Sequence, residues 1–189
     1  MRVPAATSDD DDLPTLVGRA VARDPDAWEA LFRRSYRNLF SFARRRLLDD
    51  QAADDAVSET MMRALDNIER FTWQGGGFDA WLYGIARNVV YEHARSRRRT
   101  SSMGADDPVA IEPGPEERAV TEAEVTAVRL AFSQLTPDEQ ELLELRVQGG
   151  LSSEDVGRLI GKKPVAVRMA QSRALGRLRT FLGEVHGAH

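Results

Sequence analysis

The sequence SEDVGRLIGKKPVAVRMAQSRALGRLRTFL spans residues 153–182 and decides the fold of the C-terminal part of the chain. Two helical stripes of apolar residues lie on either side of a short turn. The stripes comprise Val156 and Ile160, then Val167, Leu175, Leu178 and Phe181. Gly157 is small where a following helix would have to cross closely, and Gly161 suits a left-handed turn. These spacings predict a helix-turn-helix, whose second helix enters the major groove of DNA.

The exposed side of that second helix carries the candidate DNA contacts. It would present Arg168, Gln171, Ser172 and Arg173 near its start. Arginine and glutamine can make paired hydrogen bonds to purine edges, while other polar side chains hold phosphates. The alternative is an ordinary helical hairpin with a basic solvated face, which would not need both glycines.

Helical periodicity also extends over the rest of the chain. Apolar residues recur at three- and four-residue spacing in 13–21, 25–47, about 52–68 and from about 78 onward. Asp24 before Pro25 predicts one helix start, and Thr136-Pro137-Asp138-Glu139 predicts another with a capping box. No alternating strand pattern of useful length occurs, so we predict an all-α fold.

A composition change divides the chain into two small helical domains. Residues 100–115, TSSMGADDPVAIEPGP, contain three prolines and two glycines without a helical stripe, which is typical of a flexible linker. We therefore predict a disordered acidic tail (1–11), a domain (12–99), the acidic linker (100–115), a second domain (116–183) with the helix-turn-helix, and a short tail (184–189).

Charge is strongly segregated although the net charge is only −4. Residues 30–48 hold six arginines and no acid, and residues 157–183 hold seven bases and no acid, whereas 101–124 has seven acids against one arginine. This arrangement predicts two nucleic-acid surfaces joined by a linker that nucleic acid would repel. A GC-rich genome would explain the choice of arginine over lysine, but it would not explain the segregation.

The composition also argues against enzymes and membrane proteins. The chain has no cysteine and only three histidines, so a metal site or an acid–base site has almost no material, and we expect no cofactor and no catalytic residue. The N-terminus lacks the apolar core of a signal peptide, and no apolar run is long enough to span a membrane. We expect a cytoplasmic protein without membrane insertion.

Two further groups of side chains are candidates for function. Asp54, Asp55 and Glu59 form an acidic cluster beside Met62 in the third helical segment. Such a cluster is more often a solvated helix face than a catalytic site. The segment FDAWLYGIARNVVYEHARSRRR (78–99) mixes aromatic rings with cations, a combination that suits single-stranded nucleic acid. Core packing is the favoured alternative for Phe78 and Trp81, so Arg87, Asn88 and Arg95 are the better contact candidates.

Four motifs in order resemble the extracytoplasmic-function, or group four, sigma factors of bacterial RNA polymerase. DPDAWEALFRRSY (24–36) resembles the opening of their region 2, and DDAVSETMMRALDNIERF (54–71) resembles their polymerase-binding helix. The 78–99 segment resembles the part that handles the −10 promoter element. LTPDEQELLELRVQGGLSSEDVGRLIG (135–161) with the basic helix resembles region 4, which reads the −35 element. The resemblance covers about 12–183.

The resemblance implies partners and residue roles. It implies binding to core RNA polymerase through the clamp helices of the largest subunit and the flap of the second-largest, to promoter DNA, and to an anti-sigma factor. It places Asp54, Asp55, Glu59 and Met62 against the polymerase. It places Asn88 where a flipped −10 base is captured, flanked by Arg87, Tyr91 and Arg95, and it places Arg168, Gln171, Ser172 and Arg173 at the −35 element.

The length of the segment 101–121 agrees with a role on polymerase. Its 21 residues have a contour of roughly 70 Å but a relaxed span of only about 25 Å. Promoter elements about 18 base pairs apart are separated by roughly 60 Å, so a scaffold has to hold the domains apart. Two other classes remain open: a dimeric helix-turn-helix regulator that binds DNA alone, and a carboxylate-dependent hydrolase using the acidic cluster.

Overall fold

Eight α-helices make up most of the computed structural model, which describes residues 12–73, 75–100 and 122–187. Contacts between Cα atoms divide the chain into two units, Met1–Asp106 and Asp107–His189. The described residues contain no strand, which confirms the all-α prediction. The predicted acidic tail (1–11), the linker from residue 101 and residues 116–121 of the predicted second domain lie outside the described residues.

The first unit contains four helices and one short 3₁₀ turn. They are α1 (Leu13–Val21), α2 (Pro25–Leu47), α3 (Asp50–Asn67), the turn Ile68–Arg70, and α4 (Gly77–Thr100). Helix α2 packs against α1, α3 and α4, and α3 also packs against α4. The described part of the N-terminal unit is therefore built around α2 and α3.

Capping residues set where these helices begin. The Asp24 carboxylate accepts hydrogen bonds from the backbone N–H groups of Asp26 and Ala27 at 3.0 and 3.4 Å, and Pro25 occupies the first helical position. This confirms the predicted start of α2. Asp49 caps α3 by accepting from the Ala52 N–H at 2.7 Å. Helix α3 therefore begins at Asp50, two residues before the apolar periodicity indicated.

Aromatic and aliphatic side chains fill the core of the first unit. The largest buried members include Leu31, Phe42, Ile68, Phe78 and Leu82. Phe78 is fully buried and lies 5.6 Å from the half-buried Trp81 between ring centroids, so core packing is the role of this pair. Tyr83 is buried too, edge-on to Phe42 with 5.6 Å between ring centroids, so its ring is not available at the surface.

The second unit packs three helices against one long helix. They are α5 (Glu122–Ser133), α6 (Pro137–Leu143) with the π-helical turn Glu144–Gln148, α7 (Ser153–Ile160) and α8 (Pro164–Gly187). Helix α8 contacts α5, α6 and α7, and Leu135, Leu143 and Ala174 form a buried cluster. Helix α8 continues to Gly187, so residues 184–187 of the predicted tail are helical.

The turn between α7 and α8 depends on both glycines that the sequence singled out. Gly161 ends α7 in the left-handed conformation at φ +69°. A Cβ atom on Gly157 would lie 2.5 Å from the Lys162 carbonyl oxygen, so the close approach is made by the backbone of the turn. A reciprocal capping box of Ser152 and Asp155 starts α7. The observed α7–turn–α8 arrangement confirms the predicted helix-turn-helix.

No helix in the described ranges has both the length and the apolar character needed to cross a bilayer.

Candidate nucleic-acid interface

Helix α4 presents the four predicted −10 contacts on one side. At about 100° per residue, Arg87, Asn88, Tyr91 and Arg95 fall within an arc of about 100°. Asn88, Tyr91 and Arg95 are exposed. The Arg87 guanidinium lies over the Tyr91 ring, 4.8 Å from its centroid, in a cation–π contact. The face therefore combines an aromatic plane, an amide and two cations, which can stack on a base and neutralise phosphates.

Beside this face, a network of four polar and charged side chains joins α4 to α3. Arg63 donates hydrogen bonds to Glu59 at 2.5 Å and to Glu92 at 2.6 Å. His93 Nε2 lies 2.7 Å from the other oxygen of Glu59. The hydrogen bond with His93 is the largest cause that holds the pKa of Glu59 below its usual value, and Arg63 adds to it. Glu59 is thus half-buried and engaged by partners within the unit.

The acidic cluster on α3 is divided among three directions. Gln51, Asp55, Ser58 and Met62 are exposed along the midline of the helix, while Asp54 and Glu59 lie about 70° to either side of it. Met62 is 63% exposed. Asp55 accepts a hydrogen bond from Gln51 at 3.0 Å. The structure therefore brings Asp55 and Met62 onto one outward face and turns Asp54 and Glu59 toward neighbouring helices.

Asp54 has a specific partner in α2. The Tyr36 hydroxyl donates to the Asp54 carboxylate at 2.5 Å. This hydrogen bond is the largest cause that raises the pKa of the Tyr36 phenol to about 12, because the neutral hydroxyl is the donor. The three carboxylates of the cluster do not converge on one point. In the described residues no group of three or more acids or histidines is placed to hold a metal ion.

The arginine-rich stretch of α2 does not form one uniform surface. Arg44 is buried and pairs with Asp50. Arg33 pairs with Glu29 at 3.6 Å, and Arg34 pairs with Asp79 at the start of α4 at 3.3 Å. Part of the positive charge that the sequence suggested for nucleic acid therefore stabilises the helical unit itself.

Helix α8 carries the predicted −35 contacts in two different settings. Arg168, Ser172 and Arg173 are exposed. Gln171 is half-buried, and its side-chain oxygen accepts a hydrogen bond from Arg146 Nε at 2.8 Å. Arg146 also donates to the Leu151 carbonyl. The structure thus brings three of the four residues onto the outward face and uses Gln171 to hold α8 against the π-helical turn.

Two ion pairs fix α8 relative to the helices beneath it. Arg168 Nη1 lies 3.3 Å from Glu154 of α7. Arg177 pairs with Glu139 at the start of α6, and this hydrogen bond is the largest cause that lowers the pKa of Glu139. Glu139 also accepts from the Thr136 N–H at 3.1 Å, as the predicted capping box requires. An open cleft of about 600 Å³ beside Arg173 is lined by Glu139, Gly176, Arg177 and Thr180.

Sequence reasoning missed the partners of these site residues. Tyr36 contacts Asp54 because α2 packs against α3, and His93 contacts Glu59 because α4 packs against α3. No spacing along the chain predicts either contact. The Glu59–Arg63 and Gln51–Asp55 pairs do have a local signal, the i, i+4 spacing on a helix. Arg146 lies in a π-helical turn, so its link to Gln171 had no sequence signal.

Comparison with known proteins identifies matching families over both units. A family model described as Sigma-70 region 2 matches residues 31–100, and one described as Sigma-70, region 4 matches residues 126–178. The chain is 35% identical over 184 residues to "ECF RNA polymerase sigma factor BldN" of Streptomyces coelicolor, covering 96% of this chain and 70% of that protein. It is 30% identical to "ECF RNA polymerase sigma factor SigD" of Mycobacterium tuberculosis, covering 93% and 86%.

Solved structures show the same fold. A sigma factor RpoE in complex with the anti-sigma factor NepR from Bartonella quintana superposes with a TM-score of 0.61 at 29% identity, covering 77% of this chain and 89% of that one. CnrH, in complex with the cytosolic domain of CnrY, superposes with a TM-score of 0.63 at 22% identity, covering 90% and 96%.

Proposed function

This chain belongs to the extracytoplasmic-function sigma factors of the sigma-70 superfamily, and from that premise we propose how three of its helix faces divide the work of initiation. As a sigma factor it binds core RNA polymerase and directs it to specific promoters. The observation that carries the division is that α3, α4 and α8 each expose a different chemistry: an acidic and apolar midline, an aromatic and cationic arc, and a cationic helix in a helix-turn-helix.

The α3 face is the proposed polymerase contact. Asp55 and Met62 lie on its midline and are exposed, and Asp54 and Glu59 border it. We assign this face to the clamp helices of the largest subunit, and we assign the second unit to the flap of the second-largest subunit. A partly apolar centre with a charged border is the composition expected of a protein–protein interface.

The α4 face is the proposed −10 contact. Asn88 offers a donor and an acceptor to a base taken out of the duplex, Tyr91 offers a ring for stacking, and Arg87 and Arg95 neutralise phosphates. Capturing a base offsets an unstacking cost of a few kcal/mol. Melting of the −10 element would therefore be driven by binding, without covalent chemistry.

Exposed residues of α8 are the proposed −35 contact. Arg168, Ser172 and Arg173 face outward from a helix-turn-helix, which supports the proposal that they contact the major groove. The free chain carries a net charge of −4, so tight DNA binding depends on the polymerase to hold the two units at their separate promoter elements. This division also predicts action in the cytoplasm, where core polymerase and promoters are.

Two other proposals follow from the relatives. The sigma factor RpoE of Bartonella quintana is bound to an anti-sigma factor, and we propose that an anti-sigma factor restrains this chain as well. The relatives are transcription factors rather than enzymes, and the three carboxylates of the cluster serve Tyr36, Gln51 and the Arg63–His93 pair. We propose that the chain catalyses no reaction. The comparisons do not favour the dimeric regulator.

The test is run-off transcription with purified core polymerase on a pool of genomic upstream fragments. Discrete new transcripts should require both core and this chain. Asn88→Ala and Arg173→Ala should each lower them about 5- to 150-fold, the loss expected when a contact worth about 1–3 kcal/mol is removed. Asn38→Ala, the same change at an exposed position of α2, should leave them unchanged. A chain that shifts DNA alone as a dimer and adds no start sites would contradict the proposal.

Polymerase binding needs a separate measurement. Met62→Ala and Asp55→Ala should weaken the complex with core polymerase in a titration, while Asn88→Ala should not. Equal weakening by the Asn88 variant would show that the contact is not confined to α3.

A further inference from the structure

The outward midline of the first half of α8 carries no charge and is largely apolar. At about 100° per residue, Val165, Met169, Ser172 and Gly176 lie within about 60° of one another on the side opposite the buried Val167 and Ala174. Val165 is 59% exposed and Met169 is 58% exposed. A solvated helix face usually carries its charges at its centre, whereas here the centre is made of two exposed apolar side chains, a hydroxyl and a glycine.

Two cations border this midline symmetrically. Arg168 lies about 70° to one side of it and Arg173 about 70° to the other, and both are exposed. When such a helix enters a groove, its centre meets the base edges and its borders meet the walls, which are lined with phosphates. The positions of the arginines therefore suit phosphates, and the base edges are left to Val165, Met169 and Ser172.

The apolar side chains on the α8 midline suit one kind of base edge. In the major groove, the C5-methyl group of thymine is the apolar feature that a base pair presents. Gln171, which could read adenine, has its oxygen engaged with Arg146 and lies toward the buried side. Val165 and Met169 also occupy the second and sixth positions of α8, and the first turns of a recognition helix contact the bases.

We propose that Val165 and Met169 read thymine methyl groups of the −35 element. The inference rests on the proposed function, because it takes α8 as the helix that enters the −35 major groove. It adds a specificity-determining pair that is distinct from the polar residues at the border of the helix. Sequence preference at the −35 element would then depend on methyl groups as well as on hydrogen bonds.

The test replaces thymine by uracil, which removes the methyl group and keeps every hydrogen-bonding group of the base. A promoter selected by the run-off assay is synthesised with each thymine of the −35 element, on either strand, replaced in turn by a single uracil. Replacement of spacer thymines by uracil is the control. Initiation with core polymerase should fall about fourfold at one or more −35 positions, the factor that corresponds to one buried CH₂ group. Spacer uracils should have no effect.

Variants assign the effect to its side chain. Val165→Ala or Met169→Ala should bring the thymine-to-uracil ratio to about one at the position that the side chain contacts. Arg168→Ala should weaken initiation at every sequence while the ratio is retained. All three positions are exposed, and circular dichroism verifies that the variants fold.

A wild-type protein that initiates equally from thymine and uracil at every −35 position would overturn the inference and leave the proposed function intact. A midline that serves a protein partner instead of DNA would give the same equality, and the inference would again be overturned. If no fragment supports new starts with core polymerase, the proposed function fails and the inference fails with it.

Discussion

At the scale of single residues, the carboxylates that border the α3 face are held by partners from other helices. Asp54 accepts from Tyr36 and Glu59 accepts from Arg63 and His93, while Asp55 remains on the outward midline. A bound carboxylate has fewer rotamers to lose when a partner arrives, so the border of the interface is pre-ordered. The same neighbours alter how these groups titrate.

Tyr36 provides the first prediction. Its phenol has a pKa of about 12 because it donates to Asp54, so Tyr36 should ionise well above the ordinary value of about 10. Asp54→Asn should return the pKa of Tyr36 toward about 10. The measurement is an ultraviolet phenolate titration of the wild type, the Asp54 variant and Tyr91→Phe, which removes an exposed tyrosine.

The sign of the linked stability follows from the raised pKa. The Tyr36–Asp54 contact stabilises the fold fully below the unfolded-state pKa of about 10 and loses its contribution as the pH rises toward 12. A Tyr36 titration that Asp54→Asn leaves unchanged would show that the hydrogen bond does not form in solution.

At the scale of elements, the network of Glu59, Arg63, Glu92 and His93 links the proposed polymerase helix to the proposed −10 helix. Every contact in it crosses from α3 to α4 or lies within one turn of α3. A displacement of α3 on binding polymerase would therefore be transmitted to α4 through polar contacts as well as through the packed core.

We expect Glu59→Gln to destabilise the chain by about 1 kcal/mol or less at neutral pH, because the ion pairs are partly exposed. The pKa of Glu59 is lowered in the folded state, so its contribution is present above about 4.5 and is lost as the pH falls through the folded pKa. Denaturant unfolding at several pH values measures the difference, with Asp66→Asn on the same helix as control. A difference that persists unchanged in acid would rule out the ionic origin.

The helix-turn-helix turn gives a prediction with a matched pair of glycines. Gly157→Ala should destabilise the second unit by about 1–3 kcal/mol, because the added Cβ would meet the Lys162 carbonyl oxygen at 2.5 Å. Gly183→Ala, where nothing lies within 4 Å, should stabilise α8 by roughly 0.5–1 kcal/mol. Thermal unfolding of the full chain measures both. Two substitutions of equal sign would contradict the assigned close approach.

At the scale of the whole molecule, the chain comprises two helical units with separate cores. The whole chain carries a net charge of −4, and several arginines are paired with acids inside the units. Such a molecule has little long-range attraction for DNA. In the proposed function, specific binding requires both units to be engaged at once, and core polymerase provides that joint engagement.

The corresponding prediction concerns DNA binding without polymerase. The free chain should bind a labelled promoter duplex no more tightly than about 1 μM at physiological salt, which is ordinary non-specific binding. Core polymerase should make the binding at least a hundredfold tighter, and fluorescence anisotropy measures both. Nanomolar binding by a dimer of the free chain would support a conventional regulator instead.

The sequence predicted much of this architecture because its signals are local. Asp24-Pro25, Thr136-Pro137 and the Gly157–Gly161 pair act within a few residues, and the helices begin or turn where those residues indicate. Contacts between helices had no such signal, so the partners of Asp54, Glu59 and Gln171 emerged only from the packing. The roles of the interface residues themselves remain predictions that the stated experiments test.

The two most exposed described methionines occupy equivalent places in the molecule. Met62 lies on the outward midline of α3 and Met169 on that of α8, each between flanking charged residues. Oxidation converts a thioether into a polar, chiral sulfoxide, while Met61, buried beside Met62, is shielded. A chain without cysteine therefore still carries a redox-sensitive sulfur at its proposed polymerase contact and another at its proposed promoter contact. Methionine sulfoxide reductases reverse this oxidation.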